Sequence, residues 1–95
     1  MVTWSIPSRE DLKLIYEYIA RDSTFSAKKV IKNIVTRAMG LIDFPEIGRV
    51  VPEIGESNIR EIFVYSYRII YQVSANGVEI LTVIHGKRNF KPEDL

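Results

Sequence analysis

Residues 59–88 read IREIFVYSYRIIYQVSANGVEILTVIHGKR, and this segment decides the fold. It contains three runs rich in β-branched and aromatic residues, a composition typical of strands. Tyr65-Ser66 marks a tight reversal between the first two runs. Asn76-Gly77 tolerates the positive φ angles of a two-residue hairpin turn. The segment therefore predicts an antiparallel meander with strands at Ile59–Tyr65, Tyr67–Ser74 and Val78–His85.

The middle strand of this meander carries an arginine among apolar residues. Side chains alternate across a strand, so one face is formed by Tyr67, Ile69, Tyr71 and Val73. That face is apolar enough to belong to the core, and Arg68 lies in the middle of the opposite face. Both faces of Val78–His85 are largely apolar, which leaves the orientation of the third strand open. Parity alone also leaves open which face of the first strand carries Arg60.

Two helices are predicted before the meander. Ser8 is a good N-cap for a helix running to about Arg21, with apolar residues at i, i+3, i+4 and i+7 from Leu12. A longer apolar stripe from Ala27 to Ile42 predicts a second helix, which ends before Pro45. The short break between the two helices predicts an antiparallel helical hairpin.

The element order predicts an α+β domain. Val2–Ile6 is a short strand ended by Pro7, so the order is β-α-α-β-β-β within a single domain spanning residues 1–95. Residues 46–58 are predicted to be a loop. We expect the helical hairpin to pack on one face of a small, mainly antiparallel sheet. The other face, with Arg68, should then be partly open.

Composition excludes several classes of function. The 95 residues carry a formal net charge of +1, which does not indicate a strong non-specific grip on nucleic acid. The absence of cysteine removes disulfides and thiolate sites, and with a single histidine only scattered carboxylates are left as metal ligands, so we expect no cofactor and no metal. The amino terminus does not resemble a signal peptide, and no apolar run could span a bilayer. These features predict a soluble cytoplasmic protein with no membrane partner.

Four motifs resemble a known group of proteins. They are LIDFPEIGRVVPE at residues 41–53, REIFV at 60–64, YRIIYQV at 67–73 and VIHGKR at 83–88. Together with the element order, they resemble the RelE/ParE superfamily, the toxins of bacterial type II toxin–antitoxin pairs. The FP-x-x-GR-x-VPE run and the HGKR ending are more similar to the ParE-like branch than to the branch that cleaves mRNA.

The resemblance implies two alternative activities, and the first is catalytic. RelE-like members are metal-independent endoribonucleases that cut mRNA in the ribosome. Such a site needs a cation beside the phosphorane-like transition state and groups that move protons. The family's cationic positions correspond to Arg60, Arg68 and Arg88, and His85 is the candidate acid or base. A second lysine of the RNA-cutting members corresponds to Ile62, and their tyrosine after G-K-R is missing.

The second implied activity is inhibition by binding. ParE-like members bind DNA gyrase and need no catalytic residues, and the incomplete acid–base set favours this function. The expected target-binding residues are Arg60, Arg68, Lys87 and Arg88. Both activities imply a cognate antitoxin, in a toxin–antitoxin hetero-oligomer or beside a toxin homodimer. Two alternatives stay open: a non-toxic or degenerate small α/β binding module, and an Arg68 that forms only a structural salt bridge with Glu61, Glu79 or another acid.

Overall fold

The computed structural model describes residues 1–86, 91 and 93, and its elements confirm the predicted α+β fold. The helices are α1 (Ile6–Ala20) and α2 (Thr24–Met39), and a 3-10 turn at Gly40–Ile42 follows α2. The strands are β1 (Val2–Trp4), β2 (Arg49–Val50), β3 (Ile59–Val64), β4 (Tyr67–Ser74) and β5 (Gly77–His85). None of the helices formed by the described residues is long and apolar enough to cross a bilayer.

The strands form one sheet in the order β1-β5-β4-β3-β2. All neighbouring strands are antiparallel except β1 and β5, which are parallel. The sequence did not predict β2, because two residues are too few to show alternation. Its Arg49 and Val50 pair with Glu61 and Arg60 of β3.

The start of α1 differs from the prediction. Ser5, and not Ser8, is the N-cap, since the Ser5 hydroxyl accepts a hydrogen bond from the Ser8 backbone N–H at 3.1 Å. Pro7 then lies in the first helical turn, where backbone N–H groups have no acceptor within the helix, so the lack of an N–H in proline costs no hydrogen bond. The Ser5 hydroxyl also donates to the Leu81 carbonyl at 2.8 Å, which ties the start of α1 to β5.

The hairpin between β4 and β5 is confirmed, but its turn lies one residue earlier than predicted. Ser74 pairs with Gly77, so the two turn residues are Ala75 and Asn76. Gly77 has φ +124° and packs against the Met1 backbone, where a Cβ atom would lie 2.3 Å from the Met1 oxygen. The glycine is therefore required by this close approach and by its backbone conformation.

The helices cover the predicted face of β4. Ile69 and Tyr71 are fully buried against the helical hairpin in the main core, and Tyr67 and Val73 pack at its margin. Ile62 and Val64 of β3 belong to the same core. Because side chains alternate, Arg60 also lies on the helix side of the sheet. The sequence alone had left open which face of this strand carries Arg60.

A β-bulge explains why β5 shows no clear alternation. Tyr71 is opposite Ile80 and Ile70 is opposite Thr82, which leaves Leu81 as the extra residue. The main core therefore takes Ile80 and Val83, while Leu81 packs on the other face. The Asp11 carboxylate of α1 accepts hydrogen bonds from the Thr82 hydroxyl (2.7 Å) and the Val83 N–H (2.9 Å) beside the bulge.

The sheet face opposite the helices is covered around Arg68, so the expectation of an open, arginine-displaying face is wrong there. Residues 51–56, which we call the strap, cross this face after β2. The N–H groups of Ile54 and Gly55 both donate to the Val51 carbonyl, at 3.1 and 2.9 Å, and close the strap into a turn. Val51 and Ile54 of the strap form a second, smaller core with sheet residues Ile59, Ile70, Leu81 and Ile84.

Candidate functional site

Arg68 is the residue that the sequence placed at the centre of the site, and it is 5% exposed. Its two terminal nitrogens donate to the two carboxylate oxygens of Glu53 in the strap, at 2.8 and 2.9 Å. Its Nε donates to Oε1 of Glu61 at 2.7 Å. A planar guanidinium that meets a carboxylate with two parallel bonds makes the strongest kind of charge-assisted pairing. Arg68 is therefore fully engaged by acids from two different segments.

Glu61 extends this pairing into a four-charge network. Its side chain is fully buried, and its second oxygen accepts from Nε of Arg49 at 2.5 Å. The Arg49 side chain is 60% exposed, and its guanidinium lies 5.4 Å from the centre of the Phe63 ring. Arg49, Glu61, Arg68 and Glu53 alternate in sign, so the network, which we call the ion network, carries no net formal charge.

The hydrogen bonds between Arg68 and Glu53 favour the charged form of both residues. The hydrogen bond from Arg68 lowers the pKa of Glu53, with burial acting in the opposite direction. The hydrogen bond to Glu53 raises the pKa of Arg68 against the effect of burial. Arg68 and Glu53 therefore remain an ion pair at neutral pH.

Arg60 hydrogen-bonds to backbone carbonyls, whereas Arg68 pairs with carboxylates. Its Nε donates to the Ser57 carbonyl at 2.9 Å, and its Nη1 donates to the Gly48 carbonyl at 2.9 Å. These two bonds tie together the ends of the segment that contains β2 and the strap. Arg60 issues from the helix side of the sheet and Arg68 from the other side, so the structure does not bring these two predicted cations together.

Tyr71, the second tyrosine of YRIIY, fixes the loop that leads into β2. Its hydroxyl accepts from the Gly48 N–H at 3.0 Å and donates to the Pro45 carbonyl at 2.8 Å. A Cβ atom on Gly48 would lie 2.5 Å from this hydroxyl and 2.5 Å from the Glu61 carbonyl, so only glycine fits. Burial raises the pKa of Tyr71. The residue is a structural hydrogen-bond centre with no access to a substrate.

His85, the candidate acid or base, is exposed at the end of β5. It pairs across the sheet with Tyr67, and the two rings meet edge to face with centroids 5.8 Å apart. His85 lines a groove together with Leu14 and Tyr18 of α1, which places it on the helix side. The sheet therefore separates His85 from Arg68.

The remaining predicted site residues, Lys87 and Arg88, lie outside the described residues. Glu53 is the residue that sequence reasoning missed, because a loop acid gives no periodic signal of the sheet residue it will meet. Within residues 1–86, 91 and 93, no group of three histidine, aspartate or glutamate side chains is placed to hold a metal ion.

Comparisons with known proteins agree with this architecture. The model of the family described as "ParE toxin of type II toxin-antitoxin system, parDE" matches residues 2–90. The toxin RelE2 of Caulobacter vibrioides is 31% identical over 88 residues, which cover 92% of this chain and 96% of that protein.

Solved structures share the fold at lower sequence identity. The chromosomal ParDE toxin–antitoxin system from P. aeruginosa superimposes with a TM-score of 0.73 at 20% identity, covering 88% of this chain and 92% of that one. The isolated E. coli RelE toxin gives a TM-score of 0.66 at 16% identity, covering 94% of this chain and 86% of that one. The family match and the shared fold agree with the four sequence motifs, and the chain belongs to the ParE toxin family of type II toxin–antitoxin systems, within the RelE/ParE superfamily.

Proposed function

We propose that this toxin acts by binding and inhibiting DNA gyrase, and not by cleaving mRNA. The observation that carries the proposal is the state of Arg68, which occupies the position of the arginine expected to stabilise the transition state. A cation performs that role only if it faces the substrate with charge to spare. Arg68 is buried, and two carboxylates already bind its guanidinium.

Releasing Arg68 for a phosphate would be costly. Glu61 is fully buried, so withdrawing Arg68 from it would weaken the pairing of a buried carboxylate. Breaking a buried ion pair typically costs about 3–5 kcal/mol. The binding of a single phosphate would have to offset this cost before any catalysis began.

The position of the candidate acid or base supports the same proposal. General acid–base catalysis requires the proton-transfer group and the charge-stabilising group to reach one reacting phosphodiester. His85 lies on the helix side of the sheet and Arg68 on the strap side. Inhibition by binding needs no such convergence, because surface complementarity is sufficient.

We further propose that a cognate antitoxin neutralises this toxin in a hetero-oligomer in the cytoplasm. The family is defined by type II toxin–antitoxin pairs, and the E. coli RelBE structure that shares this fold is a toxin–antitoxin complex. We expect a segment of the antitoxin that is disordered alone to fold along exposed apolar surface of the helical hairpin or at a sheet edge.

The proposal is tested in two stages. Regulated expression of the chain should arrest growth, and co-expression of the antitoxin should restore it; normal growth with abundant soluble toxin would indicate the inert-module alternative. The purified toxin should then inhibit gyrase supercoiling of plasmid DNA and leave ribosome-bound mRNA intact. Cleavage of the mRNA with unimpaired supercoiling would contradict the proposal and favour the RelE-like activity.

A further inference from the structure

The exposed side of α2 carries four cations and no acid. Residues 24–39 contain no aspartate or glutamate, and all their lysine and arginine side chains are exposed: Lys28, Lys29, Lys32 and Arg37. None of these four forms an ion pair within the described part of the chain. The net charge of +1 hides this local excess, because residues 43–61 contain five acids and only two arginines. We call the solvent side of α2 from Lys28 to Arg37 the cationic face.

The spacing of these charges works against the stability of the helix. Lys28 and Lys32 are four positions apart, and Lys29 and Lys32 are three apart, so their side chains are neighbours on the helix surface. Like charges at these spacings destabilise a helix. A face that served only solubility would mix the two signs, as α1 does with two cations and three acids. The uncompensated cluster therefore indicates a partner that supplies negative charge.

The cationic face offers charge with little apolar surface. The apolar stripe of α2 faces the core, where Ala27, Ile34 and Ala38 are buried. Every exposed residue between Phe25 and Met39 is polar or charged. A disordered acidic protein segment needs apolar area to offset the entropy that it loses on ordering. A nucleic-acid backbone needs no such area, because cations that displace its condensed counterions are sufficient for binding.

The length of the cationic face suits a phosphate backbone. Lys28 and Arg37 are nine positions apart, which is about 14 Å along the helix axis. One strand of DNA presents a phosphate about every 3.4 Å along its axis, so about four phosphates lie within that length. Lysine ammonium groups act as point charges on flexible stems and reach phosphates without a fixed geometry. The surface is therefore suited to contact the backbone and not the base edges.

We propose that the cationic face of α2 binds the sugar-phosphate backbone of double-stranded DNA without regard to sequence. The choice of DNA over RNA rests on the function proposed above, since gyrase acts on DNA. With only four cations the contact is weak by itself and depends strongly on salt. Beside a second contact to gyrase it becomes intramolecular, and its effective concentration adds to the total affinity. The face thereby directs the toxin to gyrase that is bound to DNA.

The test is binding of the purified toxin to a fluorescently labelled DNA duplex of arbitrary sequence, measured by anisotropy over a series of salt concentrations. For four phosphate contacts, we expect the logarithm of the binding constant to fall against the logarithm of the salt concentration with a slope of about −3.6. Lys32→Gln should make the slope shallower by about 0.9, and the double variant Lys28→Gln/Lys32→Gln by about 1.8. The matched control is Lys13→Gln, an exposed lysine of α1, which should leave the slope unchanged. The urea midpoint of the double variant should stay the same or rise, because repulsion between like charges is relieved.

Several outcomes would overturn the inference. They are an absence of duplex binding at low salt, an unchanged slope in the double variant, and an equal change in Lys13→Gln. Tighter binding to an RNA duplex of the same sequence would overturn the choice of DNA. Tighter binding to labelled polyglutamate than to the duplex would overturn it as well and assign the face to an acidic protein. Duplex binding through these lysines by a toxin without effect on gyrase would refute the proposed function and leave the DNA contact standing, which separates the two failures.

Discussion

The two faces of the sheet are closed by different physical means. On the helix side, side chains from both helices and four strands form a continuous apolar core that includes Ile34, Leu41 and Ile80. On the strap side, a smaller apolar cluster is completed by the ion network. The first face has many apolar contacts, so the loss of one weakens it only in part, whereas the second depends on the buried charges of Arg68 and Glu61, each of which needs its partner. Arg68 is therefore needed for the stability of the strap side of the sheet.

Among the tests of this comparison, the largest effect is expected for Arg68→Ala. The change leaves the fully buried Glu61 with Arg49 alone and leaves Glu53 without its bidentate partner. We expect the free energy of unfolding to fall by about 3–5 kcal/mol, measured by urea denaturation. The control is Arg49→Ala, whose side chain is largely exposed and should cost about 1 kcal/mol or less. Similar losses in the two variants would mean that the ion network does not hold the strap side together.

A second test concerns the close contact beneath β2. Gly48→Ala places a Cβ atom 2.5 Å from the Tyr71 hydroxyl and from the Glu61 backbone. Because the backbone oxygen cannot rotate away, we expect a loss of about 1–3 kcal/mol in thermal or urea unfolding. Gly40→Ala is the matched control, since a Cβ there meets nothing within 4 Å and the substitution should be neutral or stabilising. A neutral Gly48→Ala would show that this loop shifts freely.

A smaller effect is expected on the helix side of the sheet. Tyr71→Phe keeps the ring in the main core and removes the hydroxyl that serves Gly48 and Pro45. The Gly48 N–H would then be buried without an acceptor, which costs about 1–2 kcal/mol. The readout is the unfolding free energy together with faster hydrogen exchange of the Gly48 amide. Unchanged exchange would indicate that the hydroxyl does not position the loop.

The smallest predicted effect is a pH dependence that belongs to the strap side alone. The folded-state pKa of Glu53 is lowered by Arg68, so the pair contributes stability above the unfolded-state pKa, near 4.5. That contribution is lost as the pH falls from about 4.5 through the lower folded-state value. Comparing the acid unfolding of wild type with Glu53→Gln should show a shallower loss in the variant. Glu56→Gln, on the same strap, is the control and should follow the wild type.

The sequence could predict the helix side of the sheet because its signals are local. Alternation in residues 67–73 identified Ile69 and Tyr71 as core, and both are buried. The strap side could not be predicted in the same way, because Glu53, which lies 15 positions before Arg68, belongs to the irregular strap. The bulge in β5 likewise made it impossible to tell from the sequence which face of β5 packs against the helices, since one extra residue shifts the alternating pattern by one position. Arg68 was therefore placed on the correct face of the sheet, but its exposure was predicted wrongly.

The pairing of β1 with β5 makes folding of the toxin depend on contacts between distant parts of the chain. Val2, Thr3 and Trp4 find their strand partners at Val78, Glu79 and Ile80, which are far away in the sequence. β5 also lies between β1 and β4, so β1 is joined to the rest of the sheet only through that strand. Contacts of such long sequence separation form late and slowly. We therefore expect that removal of β5 would leave β1 without a partner strand and would prevent the native sheet from forming.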